Sequence, residues 1–496
     1  MIMKIGIIGA GIAGIAASIR LAVQGHEVTV FEANAYPGGK LSETHLQGYR
    51  FDAGPSLFTM PQYVEELFEL AEKPIEDYFQ YEQLPVVCKY FWEDGVQLNA
   101  HADVWKFAAE VKEKLGVSEK VVIRAFADSR YKYAATASTF LHKSLHKKAT
   151  WLTRDVLKAV FKIPRLDIFR TMNRVNEKRL KEAHLVQLFN RYATYNGSSP
   201  YKAPGLLNII PHFEHGIGAF YPKDGMVSIT NSLFKLAQDL NVRFQMETKV
   251  DEIIVSEKRV TGIKVGEWQH NFDIVVSNMD MFFTYKKLLH NQKAPEKILR
   301  QAKSTSALIF YWGIKEKFPE LDVHNIFFSE NYKTEFEYLT DRKEVYKDPT
   351  VYINITQKYK PDDAPEGCEN WFTMINTPHN VAQDWDEIIK QARENIITKI
   401  SRILNRDIRS LIVCEQILDP RLIEERTASH LGALYGTSSD NRMAAFLRHP
   451  NFSKTIKGLY FCGGSVHPGG GIPLCLLSAK IMTELITQVA ENRNSP

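Results

Sequence analysis

A short apolar run, Ile5 to Ile8, leads directly into Gly9, Gly11 and Gly14, spaced GxGxxG. From about Ile12 to Val23 the chain reads as a helix of apolar and small residues. Gly25 closes it, and "HEVTVFE" follows as a second strand ending on Glu32. This series constrains the chain more than any other feature. Gly9 permits the tight turn, Gly11 lets backbone approach a pyrophosphate, and Gly14 lets the helix pack closely on the strand. The helix N-terminus offers N–H groups and a partial positive charge to phosphate. Glu32, 21 residues after Gly11, stands where ribose hydroxyls can donate to it, and its charge repels a 2′-phosphate. The expected fold class is α/β (α+β overall), built around a Rossmann-type dinucleotide-binding domain.

NAD and FAD share such a start, and the residues that follow separate them. "PGGK", Pro37 to Lys40, is a second glycine turn with a cation at its end, suited to closing over the flavin side of a dinucleotide. "GYRFDAGPS", Gly48 to Ser56, comes next, and an NAD domain has no use for either. Near the other end of the chain, Gly463 to Gly471 holds five glycines in nine positions and then runs into a helix. Glycines before a helix bring backbone close to a ligand. Two glycine-rich walls more than 450 residues apart are expected to enclose one cofactor, FAD.

The order GxGxxG, acidic strand end, PGG[R/K], G-[YF]-x-F-D-x-G-P-S resembles the flavin amine oxidase and phytoene desaturase superfamily. Within it, "RFDAGPS" and "HPGGGIP" resemble the bacterial carotenoid desaturases, and the resemblance covers nearly the whole chain. "RYATYNGSSPYKAP", with Leu474 where phytoene desaturases usually have glycine, is most similar to the 1-hydroxycarotenoid 3,4-desaturase branch. "YPKDGM" matches the family's "YPxGGM" except at Asp224.

The resemblance implies a discontinuous FAD domain of residues 1–72, 223–285 and 457–496. It also implies a mixed-sheet and helical substrate domain of 73–222 and 286–456. At the nucleotide end it places Ile12 and Ala13 with the first glycines, and Ala33 beside Glu32. Val250 pairs with adenine through its backbone, and Asn278 ends a further buried strand, "FDIVVSNMD". Gly39, Lys40, Gly54, Pro55, Ser56 and Leu57 belong to the cofactor wall. Gly463 and Gly464 lie by the phosphates and ribityl chain, while Gly471, Ile472, Pro473 and Leu474 lie by the isoalloxazine.

With 496 residues, 44% of them apolar, the chain can bury the cores of two domains. A net charge of +4 against 62 basic and 58 acidic side chains is no electrostatic footprint for nucleic acid. Five scattered cysteines without a CxxC pair argue for a reducing compartment, the cytoplasm. The apolar N-terminus lacks the charged leader of a signal peptide, and no run of about 18 apolar residues is present to span a bilayer. His212, His215 and His324 are read as satisfied structural residues rather than metal ligands, and no metal is expected.

Residues 141 to 181 hold twelve Lys or Arg and three acidic residues. Trp151, Leu152, Val156, Leu157, Val160 and Phe161 recur at helical spacing. A solvated basic helix face and a monotopic contact with an anionic membrane both fit. A lipid-soluble carotenoid substrate favours the second, at the inner face of the cell membrane.

The implied reaction removes two hydrogens from a long polyene, one as hydride to flavin N5 and one as a proton. An oxygen- or quinone-type acceptor then reoxidises the flavin. No nucleophilic triad or paired carboxylate stands out, so no catalytic side chain is assigned. The alternatives are a phytoene desaturase, an amine oxidase on the same fold, and a non-catalytic flavin-stabilised binding protein.

Overall fold

The computed structural model describes residues 2–151, 162–440 and 448–494. Its two largest sheets use β1 (Lys4–Ile8), β2 (Glu27–Phe31), β3 (Val86–Phe91), β4 (Gln97–His101), β5 (Arg243–Gln245), β6 (Ile274–Ser277), β7 (Ser306–Ile314), β8 (His324–Phe327), β9 (Val351–Asn354), β10 (Glu369–Thr377), β11 (Ile412–Leu418) and β12 (Leu459–Phe461). Four helices bear on the site: α1 (Ile12–Val23), α2 (Val227–Asp239), α3 (Trp385–Leu404) and α4 (Ile472–Asn494).

The first sheet is parallel throughout, in the order β5-β2-β1-β6-β12. Its strands come from the start, middle and end of the chain. Strands buried on both faces read as continuous apolar runs, and "IGII" and "IVVS" are of that kind. One face packs on α1, α2 and α4, where Ile5, Ile7, Val30, Leu233, Leu236, Leu477 and Met482 share a core. Gly14 is what allows α1 so close to its own turn: a Cβ there would stand 2.1 Å from the Gly9 carbonyl oxygen. A three-stranded antiparallel sheet, Glu252–Ser256, Arg259–Val265 and Trp268–Asn271, covers part of the other face.

The second sheet is mixed, in the order β11-β7-β10-β9-β8-β3-β4, with β8 and β3 its one parallel pair. Every residue of β7 is buried because both faces are covered. On one side Leu308, Phe310, Trp312 and Trp371 pack against Ile396 and Ile400 of α3. On the other, Ile309, Tyr311 and Phe372 meet Tyr49 and Phe51 of the segment that follows the first glycine turns. That face carries hydrogen bonds that join the sheet to the glycine-rich half: among them, Tyr311 donates to the Ala53 carbonyl at 2.8 Å, and the Tyr352 and Ser56 hydroxyls bond at 2.7 Å.

One expectation differs from what is seen, and one region is described only in part. The basic stretch 141–181 is described at 141–151 and 162–181. Helical turns are described at Lys148–Trp151, Ile163–Arg165 and Met172–Leu180, and the last two are separated by a turn at Asp167, whose φ is positive. The amphipathic positions Leu152, Val156, Leu157, Val160 and Phe161 lie outside the described residues. His215 and His324 are not fully satisfied, because the Nε2 of each is buried without a hydrogen-bond partner.

Candidate functional site: a dinucleotide cradle facing a mixed sheet

The cradle begins where β1 ends. Gly11 is the N-cap of α1, no side chain caps that helix, and its first turn carries no acidic residue. The first N–H groups of α1 are therefore open to an anion. The PGG turn lies alongside: Gly38 pairs with Gly11 in an isolated bridge and donates to the Ala10 carbonyl at 2.8 Å. Gly39 has φ +59 and lies close enough that its Cβ would come within 3.7 Å of Gly11 Cα.

Glu32 closes β2 with its carboxylate held in place. Oε2 accepts from the Ala10 N–H at 2.7 Å and Oε1 from the Asn34 N–H at 2.9 Å. A carboxylate oxygen can accept more than one donor, so capacity for ribose hydroxyls remains. Thr248 donates to the Glu32 carbonyl at 2.7 Å, bringing Val250 to the same end of the sheet. Among the described residues neither the N–H nor the C=O of Val250 has a hydrogen-bond partner, as an edge that pairs with a purine requires. Ala33 is exposed beside it.

At the far end of the cradle, Asn278 follows β6 and donates to the Gly9 carbonyl at 3.4 Å. Gly463, with φ +109, lies against the same amide. Gly464 follows, its carbonyl accepting from the buried Arg448 guanidinium at 3.2 Å. Gly471 has φ +102, and a Cβ there would project into open space. Ile472 and Pro473 begin α4, whose N-terminus faces the same glycines. Leu474 is half-buried on the core beneath, with its Cδ1 turned toward Gly469. Gly54 sits against Lys40: its Cβ would be 2.0 Å from the Lys40 carbonyl oxygen. Pro55, Ser56 and Leu57 continue from it, partly exposed. An uncapped helix start, a restrained acidic strand end and glycines that leave room for a ligand together fit FAD.

Lys40, singled out in the sequence, has polar neighbours here that escaped the sequence reading. Lys40 donates to the Leu434 carbonyl at 3.0 Å, and burial lowers its pKa while Asp280 pulls it back up. Asp280 is itself raised by burial and held down by Lys303. Arg448 spans the last glycine turn, donating also to the carbonyls of Tyr435 and Thr437, each at 2.8 Å. Burial lowers its pKa to about 10. In the core beside β3, Arg191 pairs with Glu214 at 3.1 Å, donates to Tyr90, and lies over the Tyr192 ring at 4.4 Å. Tyr192 and Tyr195 donate to the same carboxylate. No local pattern marks these residues, because each acquires its role from a partner distant in the chain.

A parallel sheet that presents glycine turns and an uncapped helix to a dinucleotide, packed on a mixed sheet with an aromatic face, defines a flavin-dependent oxidoreductase. The chain belongs to the flavin containing amine oxidoreductase family, whose model matches residues 12–486. It is 53% identical over 480 residues to the 1-hydroxycarotenoid 3,4-desaturase of Flavobacterium sp. (strain P99-3), covering 97% of this chain and 98% of that one. It is 32% identical to the 4,4'-diapolycopene oxygenase of Methylomonas sp, covering 97% of both chains. Among solved structures, cyclohexylamine oxidase from Brevibacterium oxydans IH-35A superposes with a TM-score of 0.63 at 15% identity, covering 99% of this chain and 100% of that one. The fatty acid isomerase from P. acnes gives 0.60 at 14%, covering 98% of both. At such identities these likenesses speak for the fold alone. FAD is the cofactor of this chain, and its class is oxidoreductase.

Proposed function

We propose that this protein is a carotenoid desaturase that introduces the 3,4 double bond into a 1-hydroxycarotenoid or γ-carotene-type polyene. The observation that carries this reading is the 53% identity, sustained over 97% of the chain, to a protein of that name. A dinucleotide cradle facing the apolar side of a mixed sheet is consistent with it. Residues 1–72, 223–285 and 457–496 form the FAD domain in this reading, and 73–222 with 286–456 the substrate domain.

Bound FAD supplies hydride acceptance. The protein's residues provide placement. The open N–H groups at the start of α1 and the close approach at Gly11 hold the pyrophosphate, and Glu32 takes the adenosine ribose. Gly463, Gly464 and Gly471 leave room for the flavin, and Ile472 and Pro473 close that side. Ile309, Phe372 and Met374 share one face of the mixed sheet and give the polyene an apolar bed. The substrate loses its second hydrogen as a proton. The cation left by hydride loss is delocalised over the polyene and strongly acidic, so no strong base is required of the chain.

A lipid-dissolved substrate requires access from a membrane surface. No helix among the described residues is long and apolar enough to cross a membrane. We assign the contact to the basic stretch 141–181, where Trp151 is 46% and Phe169 68% exposed. Large exposed apolar side chains among cations suit the interface of an anionic bilayer at the cytoplasmic side. Electrons then leave to an oxygen- or quinone-type acceptor.

The test is anaerobic addition of polyenes to the purified yellow protein, with products identified by absorbance and mass. Bleaching by the hydroxylated carotenoid, with a product two hydrogens lighter, is expected. Bleaching by a primary amine and by no carotenoid would move the chain to amine oxidation, and efficient conversion of phytoene alone would move it to the phytoene branch.

A further inference from the structure

One polar group on the sheet face, the Tyr352 hydroxyl, has hydrogen bonds that run in a determined direction. Tyr352, on β9, is partly exposed, with Met374 directly opposite and the Phe372 ring at 6.2 Å. Its hydroxyl bonds Ser56 Oγ and His324 Nδ1, each at 2.7 Å. His324 is 2% exposed, and burial holds it neutral with a pKa of about 3. Asn354 Nδ2 donates to the Val323 carbonyl at 2.9 Å, which orients the amide, and it also approaches His324 Nδ1 at 3.3 Å. An amide NH₂ only donates, so His324 Nδ1 is the acceptor and the ring proton sits on the unpartnered Nε2. Tyr352 must then give its own proton to Nδ1. Its oxygen accepts from Ser56 and keeps acceptor capacity, as does the Ser56 oxygen. Two partly exposed residues beside the flavin wall thus hold oxygens with acceptor capacity for a proton donor.

We infer that Tyr352 and Ser56 accept the O–H of the substrate's terminal hydroxyl and select a free hydroxyl over hydrogen or an O-alkyl group at that carbon. This rests on the desaturase reading. In a 1-hydroxycarotenoid the oxygen is three bonds from C3, so whatever binds it must stand next to the reacting bond. Ser56 belongs to the Gly54–Leu57 segment of the cofactor wall, and its bond to Tyr352 ties that wall to the substrate face. A hydrogen or a methoxy group offers no proton and would leave these oxygens facing an apolar surface. His324 acts as a positioning residue by taking the Tyr352 proton inward.

The test compares kcat/KM of the FAD-loaded enzyme on three polyenes of equal length, carrying 1-hydroxyl, 1-hydrogen and 1-methoxy ends. The wild type should prefer the hydroxylated polyene to each of the others by at least about tenfold. Tyr352→Phe, checked for full flavin content, should bring both ratios to within about threefold of one. Ser56→Ala should lower both ratios as well, and it decides the matter if Tyr352→Phe does not retain flavin. Unchanged ratios in these variants, or equal losses on all three polyenes, would overturn the assignment and leave the desaturase reading standing. A wild type that oxidises none of the three would overturn both.

Discussion

Gly11 and Gly463, 452 positions apart, lie on opposite sides of one amide. A Cβ on Gly11 would stand 2.7 Å from Asn278 Nδ2, and a Cβ on Gly463 would stand 2.7 Å from Asn278 Oδ1. Asn278 itself follows β6, which lies in the parallel sheet between β1 and β12. The two glycine-rich ends therefore share a spacer drawn from the middle of the chain, and their separation is set by the width of one side chain.

Substitution on either side of that spacer should cost the cofactor. Gly11→Val places a branched side chain where backbone approaches phosphate. Gly463→Ala adds strain at φ +109 as well as the clash with Asn278. Each is expected to weaken FAD retention at least tenfold, about 1.4 kcal/mol. Flavin absorbance after gel filtration measures it, and full yellow occupancy in both variants would remove these glycines from the site.

Asp52, in the "RFDAGPS" motif, is expected to be structural. It is 2% exposed, binds Arg50 at 2.7 Å, and accepts from the Met226 N–H at 3.0 and 3.1 Å. Arg50 also holds Glu43 at 2.6 Å and Asp363 at 3.0 Å. Removing one partner from a buried ionic network typically costs about 3–5 kcal/mol. Asp52→Ala should lower denaturant stability by that order, whereas a loss below about 1 kcal/mol would mean that the network reorganises freely.

Acid should destabilise the fold well before its carboxylates titrate. Burial holds His215 and His467 near a pKa of about 4 and His324 near about 3, against an ordinary 6.5. Between these values and 6.5 the unfolded chain binds protons that the folded chain does not. Stability is therefore fully present above pH 6.5 and falls as pH drops, by up to about 1.4 kcal/mol per pH unit for each histidine. Glu335, raised to about 7 by burial, works in the opposite sense between 4.5 and 7. His379, His430 and His449 are held near about 4 by burial as well, and these six histidines outweigh Glu335, so Tm should fall steadily from pH 6.5 to 5. A flat or rising Tm over that interval would contradict this assignment.

Charge reversal should separate membrane binding from cofactor binding. Each cation near an anionic surface contributes about 1 kcal/mol. Lys147 and Lys148 are described in the structure, and Arg154 and Lys158 lie outside the described residues. Changing all four to glutamate should reduce co-sedimentation with anionic liposomes and leave flavin content intact. Undiminished sedimentation would place the contact elsewhere.

Much of the nucleotide end was legible because its determinants are local. α1 runs over the residues its pattern predicts, Ile12–Val23, since small and apolar positions recur at helical spacing between two glycines. Glu32 could be singled out by counting from Gly11. The basic stretch was less legible. Its charges are plain, but the turn at Asp167, with its positive φ, is announced by no local pattern. The histidines were misjudged for a different reason: whether a ring nitrogen finds a partner depends on neighbours across strands, and spacing along the chain carries no trace of them.

The sequence by itself determined the parts whose physics lies within a few residues. These are the glycine turns, the strand–helix–strand unit, the acid at its tip and the glycine-rich entry to α4. Only the tertiary structure decided which side chains oppose one another on the mixed sheet. Ser56 meets Tyr352 across 296 positions because strand order places β9 against the cofactor wall. His324 stands behind Tyr352 because the register pairs His324 with Asn354. Hydrogen-bond direction in that group follows from an amide that can only donate. A bond of this kind between distant segments leaves no period, spacing or composition in either one.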